Sequence, residues 1–373
     1  MSRQRQDQLL AALLREEGWA TAGTLADLLG VTPRSIRSYV AALNARTPGA
    51  AVVESGPAGY RAGPGARGAL RVRQGGDSAP RERLHALVRL LLQAGARVEG
   101  SNALFRVLDL DDVQALRLLL DHGADPNEDN GQGEWGRPLL WAIRRLRSPA
   151  HVQALLDAGA DPATRTPQGL GAARLARRFG LADVAVLLEQ ATGAEPASPE
   201  EQFVAACAMG DRARAGGLLA SHPGLLQGLS HEQLRMLPEL AALGRMEAVR
   251  CMVELGWPIA ARGGDWDASA LNQAVFRGDA AMARFLLEHG AQWTERHAYG
   301  DNCAGTLCWA SLNRPESTEP GGGDWLGCAQ ALIDHGMPLA RPDPEAPGCV
   351  LIDGSRQRYP DEITDLLLGV DAD

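Results

Sequence analysis

The sequence predicts a mainly α-helical protein in two unlike parts: a small basic head of three helices and a β-hairpin, then a long acidic body of stacked helix pairs. Three observations carry this. Residues 1–76 hold 10 arginines against 5 Asp and Glu, a head of +5 in a chain whose net charge is −9. Apolar residues within the first 43 positions fall at helical spacing in three short blocks. After residue 80 a leucine-rich phrase ending in glycine returns six times. At 373 residues, 45% hydrophobic and 22% charged, the chain has the composition of a folded protein with two or three domains. All 37 basic residues are arginine, so chemistry that needs a lysine is excluded.

The head reads in order. Residues 4–17 place Leu9, Leu10, Leu13 and Leu14 on one helical stripe, and Gly18 stops that helix. Thr24 offers an N-cap for a short second helix carrying Leu25, Leu28 and Leu29, and Gly30 suits a left-handed turn. Thr32 caps the third helix with Pro33 at its first position. There Ile36, Val40 and Leu43 point inward, while Arg34, Arg37, Ser38 and Ala41 share the other face. Ala26 allows a close helix crossing. Residues 51–62 (AVVESGPAGYRA) form two β-prone arms around a Gly-Pro-Ala-Gly turn.

Residues 4–62 resemble the winged helix-turn-helix domain of bacterial transcription regulators, of the biotin-repressor-like and WYL type. The resemblance implies that the helix from Pro33 enters the major groove of double-stranded DNA while the hairpin touches its backbone or minor groove. It points to Thr32, Arg34, Ser35, Arg37, Ser38, Tyr39, Tyr60 and Arg61 as the DNA-binding residues. Only two arginines arm the recognition face.

The domains expected are residues 1–62 as the DNA-binding head, 63–80 as a flexible linker, and two blocks of repeats at 81–193 and 194–373. In the linker, Arg67, Arg71 and Arg73 serve to solvate the chain. The repeated phrase reads LLLQAGARV at 90–98, LLLDHGADPN at 118–127, LLDAGADP at 155–162, MVELGWPI at 252–259, LLEHGAQW at 286–293 and LIDHGMPL at 332–339. Between its third and fourth copies 97 residues leave room for two degenerate units, marked by Leu187-Leu188 and Leu218-Leu219. The array resembles ankyrin repeats, each a β-turn and two antiparallel helices, and an α-solenoid of about eight or nine such units is expected. Longer connections at 126–136, 191–200 and 313–325 interrupt the period.

Several residues invite a functional reading. His122, His289 and His335 precede the helix-ending glycine in three copies, a shared structural position rather than a metal site. Cys303 and Cys308, with Cys328 and Cys349, fit no common zinc spacing, and no metal or cofactor is expected. No catalytic motif emerges, so the chain is read as a non-enzyme. Tryptophan outnumbers phenylalanine, 8 to 5. Trp141 and Trp309 lie in first helices and are expected in the core. Trp135, Trp257, Trp266, Trp293 and Trp325 fall in turns or insertions and are the candidates for binding an unknown protein partner. No apolar run reaches the length of a membrane span and the N-terminus lacks a signal-peptide core, so no membrane partner and a cytoplasmic location are expected. The expectation is a DNA-binding transcriptional regulator whose repeats bind protein. The alternative is a scaffold in which the winged helix also binds protein.

Overall fold

A computed structural model describes residues 6, 9–10, 12–14, 18–45, 52–56, 58–63, 78–131, 133–313 and 323–370. The linker arginines Arg67, Arg71 and Arg73, and residues 314–322 of the last insertion, lie outside these. The chain divides into two compact units, one of Met1–Arg83, Val275–Ala280 and Leu307–Asp373, the other of Leu84–Ala274 and Ala281–Thr306.

In the first unit, helical residues 9–10 and 12–14 precede α1 (Ala22–Leu29) and α2 (Pro33–Ala45). Helix α1 begins two residues before Thr24, because Thr21 is its N-cap and accepts the Thr24 N–H at 3.1 Å. Gly30 ends it with φ 61° and ψ 44°, the left-handed conformation a tight helix-to-helix turn requires. Leu9, Leu10, Leu13, Leu25, Ala26, Ile36, Val40 and Leu43 pack into one core. Strands β1 (Val53–Gly56) and β2 (Gly59–Ala62) pair antiparallel, with Glu54 opposite Arg61.

Helix α3 (Ser78–Gln93) starts inside the segment expected to be linker. Helix pairs follow: α4 (Ala103–Asp109) with α5 (Val113–Asp121), α6 (Pro138–Arg144) with α7 (Pro149–Asp157), and α8 (Ala172–Arg178) with α9 (Ala182–Thr192). Next come α10 (Pro199–Ala208) with α11 (Arg212–Ser221), then the short α12 (His231–Leu234), and α13 (Met236–Ala242) with α14 (Met246–Glu254). The sequence continues through a two-residue hairpin of β3 (Arg262–Gly263) and β4 (Ala268–Ser269) to α15 (Ala270–Arg277), α16 (Ala280–Glu288), α17 (Cys303–Asn313) and α18 (Trp325–Asp334). Among the described residues that makes seven pairs, with α3 before them and α19 (Asp361–Leu367) after. The 97-residue gap does hold two pairs, α8–α9 and α10–α11. The break expected at 191–200 falls between α9 and α10, which belong to the same unit.

One unit shows why the phrase repeats. Asp112 caps α5 by accepting the N–H groups of Gln114 and Ala115, at 3.2 and 3.0 Å. Ala115, Leu116 and Leu119 are buried. The helix exits through Gly123, and the glycines at 95, 123, 159, 256, 290 and 336 all have φ between 86° and 99°. The histidine before that glycine has a local task. His122, His289 and His335 donate from Nδ1 to the carbonyl four residues back, at 2.8, 2.8 and 2.9 Å, and so add a hydrogen bond to the last turn of each helix. Successive turns are also tied together: Asn127 accepts the Asp161 N–H and donates to the Gly159 carbonyl, both at 2.8 Å.

The repeat pattern did not predict the three-stranded antiparallel sheet of β5 (Arg341–Pro342), β6 (Val350–Ile352) and β7 (Ser355–Gln357) in the first unit. Its tight turn is Asp353-Gly354, both with positive φ, at 47° and 78°.

Candidate nucleic-acid interface

Helix α2 owes its start to Thr32, whose hydroxyl accepts the Ser35 N–H at 3.2 Å and lies 3.0 Å from the Ser35 hydroxyl. Ser35 is therefore folded back on the cap and buried. Tyr39 sits in the head core beside Ile36 and Val40. The expectation that Ser35 and Tyr39 contact DNA is corrected on this ground, since a buried side chain offers a groove nothing. Thr32 is half-buried, as a cap. What faces solvent is Arg34, Arg37, Ser38 and Ala41. Arg34 reaches to 3.7 Å from Asp365 of α19, with both side chains largely exposed. Such a pair contributes little and yields readily to a phosphate.

The wing is held beside this helix by groups the sequence reading missed. Asn44, in the last turn of α2, donates to the Val53 carbonyl at 2.8 Å and accepts the N–H groups of Val52 and Val53 at 3.0 and 2.9 Å. Ala20 and Tyr60 exchange two backbone hydrogen bonds of 2.8 Å, adding a third strand position to the hairpin. Tyr60 packs partly against the core. Arg61 is exposed, paired with Glu54 at 2.6 Å, and its guanidinium lies 4.7 Å from the ring centre of Trp19. Asn near a helix end followed by a β-prone arm was a readable signal, as was a tryptophan directly after Gly18.

The tryptophans divide differently from expectation. Trp257 and Trp325 are buried, contrary to the expectation that they offer open rings to a partner, and Trp135 is buried too except where it lines a cleft. Trp257 stacks on Phe203 with centroids 5.9 Å apart and donates to the Leu234 carbonyl. Trp325 donates to the Phe276 carbonyl. Trp135 packs edge-on to Phe179, with Arg144 over its other side at 4.6 Å. It also walls a cleft of about 260 Å³ whose lining includes Arg174, Arg178, Arg235 and Glu239. Trp266 and Trp293 are half-buried, the former edge-on to His297. Trp309, expected in the core, is 52% exposed and stacks on Phe276. Trp257 is covered by Phe203 of α10 and Leu234 of α12, and Trp325 begins α18 against Phe276 of α15, long-range contacts that a helix-periodicity argument does not register.

Among the described residues no group of three or more His, Cys, Asp or Glu is placed to hold a metal ion. Cys303 is buried, and Cys308 donates to the Arg358 carbonyl.

Residues 5–61 match a sequence family described as HTH domain. Among solved structures, the human ASB11 ankyrin repeat domain is 22% identical, covering 63% of this chain and 98% of its own with a TM-score of 0.29. The ankyrin repeat domain of Bcl-3, a member of the IkappaB protein family, is 20% identical, covering 72% and 99% with a TM-score of 0.32. No curated protein matches the chain by sequence. The match to the helix-turn-helix family is confined to the head, and the body that follows is an array of helix pairs. No helix among the described residues is long and apolar enough to cross a membrane.

Proposed function

We propose that the chain is a DNA-binding transcriptional regulator whose helix pairs receive a protein partner that tunes it. The observation that carries this is the solvent face of α2. Arg34, Arg37 and Ser38 stand together on a helix preceded by a left-handed glycine turn and flanked by a docked wing, the arrangement that inserts into a major groove. Arg61, released from Glu54, serves the backbone from the wing. The acidic body repels phosphates and leaves affinity to the head.

The test is fluorescence polarisation of the full chain on genomic fragments at two salt concentrations, with and without Arg34→Ala plus Arg37→Ala. Binding that weakens with salt and with the double substitution is expected. Binding indifferent to both overturns the proposal.

A further inference from the structure

We infer that α3 is a self-association surface, paired in solution with α3 of a second copy of this chain. The repeat itself shows that its face is unfinished. Eight and four residues before the helix-ending glycine, the other five copies of the phrase place Ala115 and Leu119, His151 and Leu155, Ala248 and Met252, Met282 and Leu286, and Cys328 and Leu332. Each of these is 6% exposed or less. The same two positions in α3 are Leu87 and Leu91, which are 54% and 52% exposed. Leu84 and Leu90 are open beside them. At 100° per residue these four leucines span an arc of about 120°, the width of a core-facing stripe. The opposite flank of α3 is the docked one: His85 meets Asp112 at 2.7 Å, and Val88 and Leu92 are half-buried. Nothing in the described residues covers the leucine arc.

A second α3 fits it on three grounds. Leu84, Leu87, Leu91 and Ala94 follow a 3-4-3 spacing, the seam that packs against another helix with the same seam. An antiparallel pairing centred on Leu87 is two-fold symmetric and so closes on itself, with Leu84 of each copy set against Leu91 of the other. Arg83, the only charged residue within the arc, then reaches the C-terminal turn of the other α3, whose unpaired carbonyls attract a cation. The two Arg83 residues, each four positions from the centre, lie roughly 12 Å apart along the axis, too far to repel strongly in salt. A parallel pairing offers Arg83 no such acceptor.

This inference does not depend on DNA binding and is tested without DNA. Sedimentation equilibrium of the full chain should approach twice 39.6 kDa with concentration. Leu87→Glu plus Leu91→Glu should return it to the monomer mass, with association weakened at least about tenfold. Arg83→Glu should weaken association less. Because both leucines are exposed, circular dichroism of the variant should match the parent. Hydrogen exchange in 84–91 that rises on dilution supplies a reading independent of any variant. A chain that stays monomeric to about 100 μM, beyond the range of a weak specific interface, overturns the inference. So does a dimer that survives the double substitution.

Discussion

Two glycines of the head separate conformational strain from steric contact, and substituting each by alanine tests how the wing is held. At Gly30 the backbone is left-handed, φ 61°, yet a Cβ there meets nothing within 4 Å. Gly30→Ala therefore costs only the left-handed conformation, about 1–2 kcal/mol. At Gly59 φ is 115°, and a Cβ falls 2.2 Å from the Ala20 carbonyl oxygen and 2.9 Å from the Thr21 Cα. Both neighbours are backbone, so the wing itself must move. That breaks the Ala20–Tyr60 pair of hydrogen bonds, each contributing about 1 kcal/mol, and adds a strained conformation of about 1–3 kcal/mol. The sum, about 3–5 kcal/mol, means local opening on the order of 100-fold or more easier. Hydrogen exchange of the Ala20 and Tyr60 amides in the full chain reads this directly. Gly59→Ala should expose both amides, and DNA affinity should fall with the displaced Arg61. Gly30→Ala should change them by roughly 30-fold at most and spare the DNA contact. Unchanged exchange in Gly59→Ala, or a larger effect at Gly30, would show that contact with the Ala20 backbone does not position the wing.

Three further outcomes follow from the same geometry. Removing Arg34 and Arg37 together should reduce the salt slope of DNA binding by about 2 if both contact phosphate, as log–log titration against salt will show. Trp257→Ala, which empties a buried stacked position, should destabilise the array by about 3–5 kcal/mol, whereas Trp309→Ala should cost on the order of 1 kcal/mol, both read by urea unfolding. His151 and His297 are buried, and burial holds both imidazoles below the usual histidine range against the opposing pull of Asp111 and Asp301. The unfolded chain thus binds protons that the folded chain refuses. Stability is intact above about pH 6.5 and declines as pH falls from there toward the depressed folded values. Thermal melts from pH 7.5 to 5.5 should show a smaller acid loss in His297→Gln than in the parent.

The sequence disclosed what depends on period and local chemistry. Ala26, Gly30, Ile36 and the paired leucines lie where spacing put them, because helix faces and left-handed turns are set within a few residues. Burial set by neighbouring elements was not legible. Two misses in the head were nonetheless local: Tyr39 stands three residues after Ile36 on the inward stripe, and Ser35 is drawn back onto the Thr32 cap. Trp257 stands in a turn by sequence, but Phe203, 54 positions earlier, claims its ring. The sheet at 341–357 had a readable sign in Asp353-Gly354 between β-prone arms, and the strength of the repeat signal overrode it.

The sparse face of α2 and the open face of α3 bear on each other. Two arginines per head supply few phosphate contacts, and each contact contributes only about one unit of salt slope, so one head alone is a weak ligand. Joining two heads makes the second contact intramolecular, at an effective concentration on the order of millimolar for a short tether. A paired α3 would thus supply through valency what α2 lacks in charge. The two effects separate on DNA of different design. Leu87→Glu plus Leu91→Glu should weaken binding to a fragment with two half-sites by about 100-fold while leaving a single half-site nearly unchanged. Equal losses on both fragments would mean that the substitutions damaged the head, and no loss on either would mean that the heads act alone.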